Sequence, residues 1–183
     1  MSVGEGKGLM KLTWFGNTAF RLHIGGQIIV LDAAAAPNGV DAAEVLSGAD
    51  RVIERNVNEP LLDARTWRPR PRERLLDAGD LPRPVDIWSL GPDCILLDAD
   101  EDAPLLLIAG PLPTLGRWAE KAIVILAGQQ LMRRSEQLVD AVIPRLIALA
   151  GSDAEVEAAF IQLPAKLDGA GLLALSPGLA VEV

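Results

Sequence analysis

The chain has 183 residues, half of them hydrophobic, with 25 acidic against 17 basic side chains and a formal charge of −8. That length suits a single domain with a sizeable core, the apolar share excludes a disordered chain, and the negative balance argues against nucleic acid, whose phosphates call for a basic surface. The lone cysteine, Cys94, rules out an intrachain disulfide and points to a reducing cytoplasm, and no apolar stretch reaches the roughly 20 residues that cross a bilayer.

In chain order, residues 1–9 carry no basic region followed by an apolar block, and are expected to be a flexible leader to one domain over 10–183. Residues 10–32, MKLTWFGNTAFRLHIGGQIIVLD, predict three short strands joined by glycine turns at Gly16-Asn17 and Gly25-Gly26. Lys11 to Phe15 and Ala19 to Ile24 alternate or nearly so, Gln27 to Leu31 is a continuous apolar run, and Asp32 closes the third strand. Asp41 can cap a short helix to Leu46, with Glu44 in its first turn and Gly48 beyond its end.

The opening stretch resembles the metallo-β-lactamase fold superfamily, in particular its branch of bacterial metal-dependent hydrolases similar to ascorbate-6-phosphate lactonase. That branch begins with a pattern close to M-K-[IL]-T-W-[LF]-G-H-[SA]-A-[FV]-R, followed by G-G and a strand ending in D-P. Asn17 stands where the pattern has its first histidine. Ala49 to Ile53 looks like the strand that leads into the main metal motif, H-x-H-x-D-H. In such sites imidazoles and a carboxylate hold two metal ions that lower the pKa of a bound water. Here Arg55, Val57 and Pro60 take the histidine places and Glu59 the aspartate place. A guanidinium cannot ligate a cation and valine has no donor atom. Pro111 replaces the bridging aspartate, and His23, the only histidine, lies on a strand. The resemblance implies a four-layer αββα sandwich, an α/β (α+β) fold with trimmed loops, and a zinc or other dinuclear metal site that has been lost, leaving no cofactor.

Residues 61–84 are unusual: Arg65, Arg68, Arg70, Arg72 and Arg74 fall within ten residues, interleaved with Trp67, Pro69 and Pro71. Arginine forks bind carboxylate and phosphate bidentately, so this segment is a candidate patch for an acidic protein partner or anionic metabolite. The plainer reading is a solvated loop pairing with Asp63, Glu73, Asp77 and Asp80. Val85 to Leu90, Cys94 to Asp98 and Leu105 to Ile108 read as strands, with Cys94 a small buried hydrophobe and not a nucleophile. The acidic turn Asp98 to Asp102 lacks the glycine and terminal glutamate of an EF-hand loop.

Leu112 to Glu120 is a loop or short helix, and Ala122 to Ala127 a buried strand. Ser135 is expected to cap a helix running through Leu149 to a stop at Gly151, kinked or split at Pro144. Its apolar residues cover more than one stripe, which suggests burial on two sides or a homo-oligomer. Ser152-Asp153-Ala154-Glu155 has capping-box spacing for a last helix to about Leu163, and residues 171–183 read as a closing hairpin around Ser176-Pro177-Gly178.

The functional expectation is a non-catalytic relative of these hydrolases acting as a binding or interaction module. Any residual binding would fall on the remnant rim, Asn17, Asp32, Arg55, Asn56, Asn58 and Glu59, with Arg55 pairing Asp32 or Glu59. The alternative is a hydrolase of esters, lactones or phosphoesters that uses a carboxylate metal site from Asp32, Glu59 and Asp63, or no metal.

Overall fold

The computed structural model describes residues 10–55, 59–71, 83–99 and 103–183. The expected leader and most of the acidic turn, residues 100–102, lie outside them. β1 (Lys11–Gly16) and β2 (Ala19–Ile24) form an antiparallel hairpin, and their alternation sends Leu12, Trp14, Phe20, Leu22 and Ile24 to one buried face. β2 turns into β3 (Gln27–Leu31) through Gly25 (φ 56°) and Gly26 (φ 73°), the doubly left-handed loop that glycine adopts without strain. β4 (Arg51–Ile53) runs parallel to β3, after the short helix α1 (Ala42–Leu46). Asp41 caps α1 as expected, accepting the Ala43 N–H at 2.9 Å.

The second sheet begins with the antiparallel run β5 (Asp86–Gly91), β6 (Cys94–Asp98) and β7 (Leu105–Ile108). It continues parallel through β8 (Ile123–Ala127), β9 (Leu146–Ala150) and β10 (Gly171–Ala174). Two helices, α2 (Leu131–Ala141) and α3 (Asp153–Gln162), cross over between these strands. Ser152 caps α3 as expected, its hydroxyl accepting the Glu155 N–H at 3.4 Å, while the Glu155 carboxylate takes that hydroxyl and the Gln130 N–H and leaves the reciprocal bond of a capping box unmade among the described residues.

Three apolar clusters define the layers. One, between the sheets, takes Leu105 and Leu107 of β7 and Ile123 and Ile125 of β8. The alternate residues Leu106, Ile108, Val124 and Leu126 face α2 and α3 on the far side. A third, smaller cluster packs Val45 of α1 on Phe15, Ala19 and Val30. The result is a mixed α/β, four-layer αββα sandwich whose first helical layer is trimmed to five residues in α1. Because both faces of β7, β8 and β9 are covered, their sequences are continuous apolar runs. No helix among the described residues is long and apolar enough to cross a membrane.

Two expectations are corrected. The helix expected from Ser135 to Gly151 is α2, which starts earlier and ends before Pro144, followed by β9. Proline cannot donate into the helix, and the chain becomes extended already at Val142 (φ −159°). The apolar surface beyond it, which suggested a subunit contact, is buried between β8 and β10. Ser135 caps nothing, lying inside α2 with a buried hydroxyl that has no partner among the described residues. The closing hairpin is also absent: β10 extends the second sheet, whereas β11 (Ala180–Glu182) crosses over and pairs with β1 in the first. LLAL finds a parallel partner in β9, and the tail covers the otherwise open edge of β1.

Candidate functional site

Strand direction alone gathers one set of loops at one edge of the sandwich. The chain leaves the parallel pair β3 and β4 through Asp32 and through Glu54-Arg55, and the parallel strands β7 and β8 through Ala109 and Gly128. Antiparallel register brings the β1–β2 turn beside the end of β3, through Phe20↔Leu31, and the β5–β6 turn beside the end of β7, through Cys94↔Ile108. In open α/β sheets ligands bind beyond the carboxyl ends of the strands. Among the described residues, four of the five non-glycine residues with positive φ sit along this edge: Asn17, Asp32, Asp93 and Gln130. Left-handed backbone at several edge positions is a feature of functional loops.

Between the sheets at this edge is a small cavity of about 30 Å³. Leu31, Ile53, Ile95 and Leu107 floor it, and Thr18, Asp32, Arg55, Asp93 and Ala109 surround its mouth. It has the volume of about one water molecule. The Thr18 hydroxyl donates to Asp32 Oδ2. Across the mouth, Arg55 donates through Nε and an Nη to both carboxylate oxygens of Asp93, at 2.7 and 2.9 Å. Asp93 is held in turn by the chain, its carbonyl accepting the N–H groups of Ala109 (2.8 Å) and Gly110 (3.2 Å). Gly110 permits this approach, since a Cβ there would strike the Pro92 carbonyl oxygen.

The hydrogen bonds from Arg55 hold the Asp93 carboxyl below its usual pKa, and the same bonds push Arg55 upward. Asp93 therefore binds fewer protons folded than unfolded, so the pair's contribution is full above the unfolded carboxyl value of about 3.9. It is lost as the pH falls through the lower folded value. Arg55 is 49% exposed and Asp93 27%, so screening keeps that contribution below about 1 kcal/mol. Urea unfolding of Asp93→Asn is expected to show this small loss at neutral pH and no difference from wild type in strong acid.

The other sequence candidates are scattered. Asn17 spends its side-chain amide on the Ala35 carbonyl at 2.9 Å and its own carbonyl on the Trp14 indole at 3.0 Å, and its neighbour Thr18 faces the cavity instead. Arg55 pairs with Asp93, and not with Asp32 or Glu59 as expected. Glu59 is half-buried and lines no part of the cavity; Asn56 and Asn58 lie outside the described residues. Of the arginine patch, Arg65 bonds Asp63, Arg70 pairs with Asp86 at 3.0 Å, Arg68 is exposed, and Arg72 and Arg74 lie outside the described residues. That segment is anchored as well as solvated: Trp67 packs edge-on against Trp118 (4.7 Å between centroids) and Trp88 (5.7 Å), and the Trp118 indole donates to the Ala64 carbonyl at 2.6 Å. Cys94 is buried on β6, and burial pushes its thiol up to about 12, far from a nucleophile's range.

Sequence reasoning missed Thr18, Asp93 and the doublet Arg133-Arg134. Gly91-Pro92-Asp93 is a turn by composition, but its place opposite Arg55 depends on the stacking of the two sheets. The doublet follows a buried strand and Gly128 by a few residues, a position at the same edge whenever that strand is parallel to its neighbours.

The zinc pair implied by the resemblance needs several nitrogen, sulfur or oxygen donors at one point. Among the described residues no group of three or more His, Cys, Asp or Glu side chains is placed to hold a metal. Asp32, Glu59 and Asp63 therefore do not assemble into the carboxylate site considered from the sequence, and His23 stands on β2 beside Arg21. The described residues do not fit the metal.

No family model matches the chain, and no curated protein matches it. Among solved structures it is similar to a Thermotoga maritima protein provisionally described as a zinc-dependent hydrolase of the metallo-β-lactamase superfamily. The identity is 15%, the match covers 91% of this chain and 98% of that one, and the TM-score is 0.48.

Proposed function

We propose that this chain is a non-catalytic relative of the metallo-β-lactamase-fold hydrolases, of the branch similar to ascorbate-6-phosphate lactonase, and works as a binding or interaction module. The observation that carries the reading is the Arg55–Asp93 pair. Arg55 holds the place of the first histidine in the main metal motif, and its guanidinium bonds a carboxylate from the opposite sheet across the mouth of the inter-sheet cavity. A cation that would organise ligands there is replaced by a fixed positive charge with its own counter-ion. The remaining volume of about 30 Å³ is far below the roughly 300 Å³ at which ligand pockets begin. With its one thiol buried, such a module suits a reducing cytoplasm.

Elemental analysis of protein purified without a histidine tag or chelator tests this directly. Expected is well under one equivalent of any transition metal, unchanged after incubation with zinc or manganese, together with no turnover of ester, lactone or phosphoester substrates. Near-stoichiometric metal accompanied by hydrolysis would overturn the reading.

A further inference from the structure

We propose that the open groove between the end of β7 and the start of α2 binds a small polar metabolite through an oxyanion, carboxylate or phosphate, seated on Arg133. The proposal rests on the non-catalytic reading in one respect: the ligand is held and released without being changed.

The groove lies beside the closed cavity on the same edge and shares Ala109 with it, but has a volume of about 780 Å³, within the roughly 300–1,000 Å³ of small-molecule pockets. Its polar lining is Arg133, Arg134, Gln129, Gln130 and Gln137, with no carboxylate. On a chain of net charge −8, two adjacent guanidinium groups without an acid in the lining are a local exception.

The two arginines have different tasks. Arg134 is committed: its guanidinium donates to the carbonyls of Ala127 (2.6 Å), Ile108 (2.7 Å) and Gly110 (2.9 Å), with a longer contact to Gln129 (3.5 Å). It fixes a positive charge under the groove, and those carbonyls use the outward N–H groups of its fork. Arg133 is exposed and makes no ion pair among the described residues, so its planar fork is free to take an oxyanion in two parallel bonds. The three glutamine amides offer both donors and acceptors to the polar body of the ligand. The start of α2 is not what recommends the site, since Glu155 already accepts the Gln130 N–H at 2.6 Å.

The test uses the full chain with two probes, citrate and inorganic phosphate, titrated by calorimetry and followed by NMR of the arginine Nε–H and glutamine side-chain amides. Expected is binding of at least one probe at millimolar affinity or tighter, weakened about tenfold or more in Arg133→Gln, partly restored in Arg133→Lys, and unchanged in Arg117→Gln, an exposed arginine outside the groove. Binding falls as salt is raised. Citrate alone identifies a carboxylate ligand and phosphate alone a phosphorylated one. Arg133 is exposed, so its variants fold, and circular dichroism verifies this. No response to either probe at about 10 mM, ten times a millimolar dissociation constant, overturns the groove and leaves the non-catalytic reading standing. Binding that survives Arg133→Gln overturns it as well. Hydrolysis of an ester substrate with normal probe binding would do the reverse, sinking the non-catalytic reading and sparing the groove.

Discussion

Arg134→Ala is expected to destabilise the protein by about 3–4 kcal/mol, a drop in melting temperature of about 10 °C for a chain of this size. The guanidinium bonds carbonyls at the ends of two neighbouring strands, Ile108 of β7 and Ala127 of β8, and of the Gly110 loop, at 2.6 to 2.9 Å. Each is a charge-assisted bond in a half-buried place, where leaving an acceptor unsatisfied costs about 1–3 kcal/mol. Burial pushes the Arg134 pKa down, the sign of a charge that solvent no longer stabilises well and that these carbonyls must hold. Arg134→Lys should recover less than half of the loss, because an ammonium keeps the charge but cannot reach three divergent carbonyls at once. Urea unfolding measures both variants. A change under about 1 kcal/mol for Arg134→Ala would show that water replaces the guanidinium freely, and the edge would then owe its shape to the strands alone.

Phe20→Ala is expected to cost about 3–5 kcal/mol, since the ring is fully buried between the sheets and its loss leaves a cavity that a two-sheet core cannot collapse around. Phe20 pairs across from Trp14 on β1 and Leu31 on β3, so the void would open directly beneath the Asp32 end of the candidate site. The control is Phe160→Ala on α3. That ring is 41% exposed, and its removal should change stability by less than about 0.5 kcal/mol. Equal effects for the two phenylalanines would mean that the inter-sheet core is not the main source of stability. The experiment is chemical denaturation followed by tryptophan fluorescence, with the slope checked so that a change in the unfolded state is not mistaken for a change in the core.

The strands at the front of the chain were legible because each carries local instructions. Gly25-Gly26 admits the doubly left-handed loop, period-two alternation assigns faces to β1 and β2, and Asp41 and Ser152 announce their helices by caps that the structure retains. The segment after Ser135 was not legible in the same way. An apolar run such as LIALA fits a buried helix face and a buried parallel strand equally well, and periodicity cannot separate them. The presence of β8 and β10 on either side decided for a strand. The closing hairpin failed for a related reason: a turn sequence shows that the chain reverses but not which sheet each arm joins.

By itself the sequence determined the inventory of imidazole and thiol donors, one histidine and one cysteine in the whole chain, whatever the fold does with them. Only the tertiary structure decided what stands at the edge where the strand ends gather. The partner of Arg55 is Asp93, 38 residues away on the other sheet, and Arg133, without an ion pair among the described residues, is set at the same edge by the parallel ladder of β7 and β8. Donor inventories are local properties of residues, whereas ion pairs and grooves depend on the stacking of two sheets, and no single stretch of chain encodes that stacking.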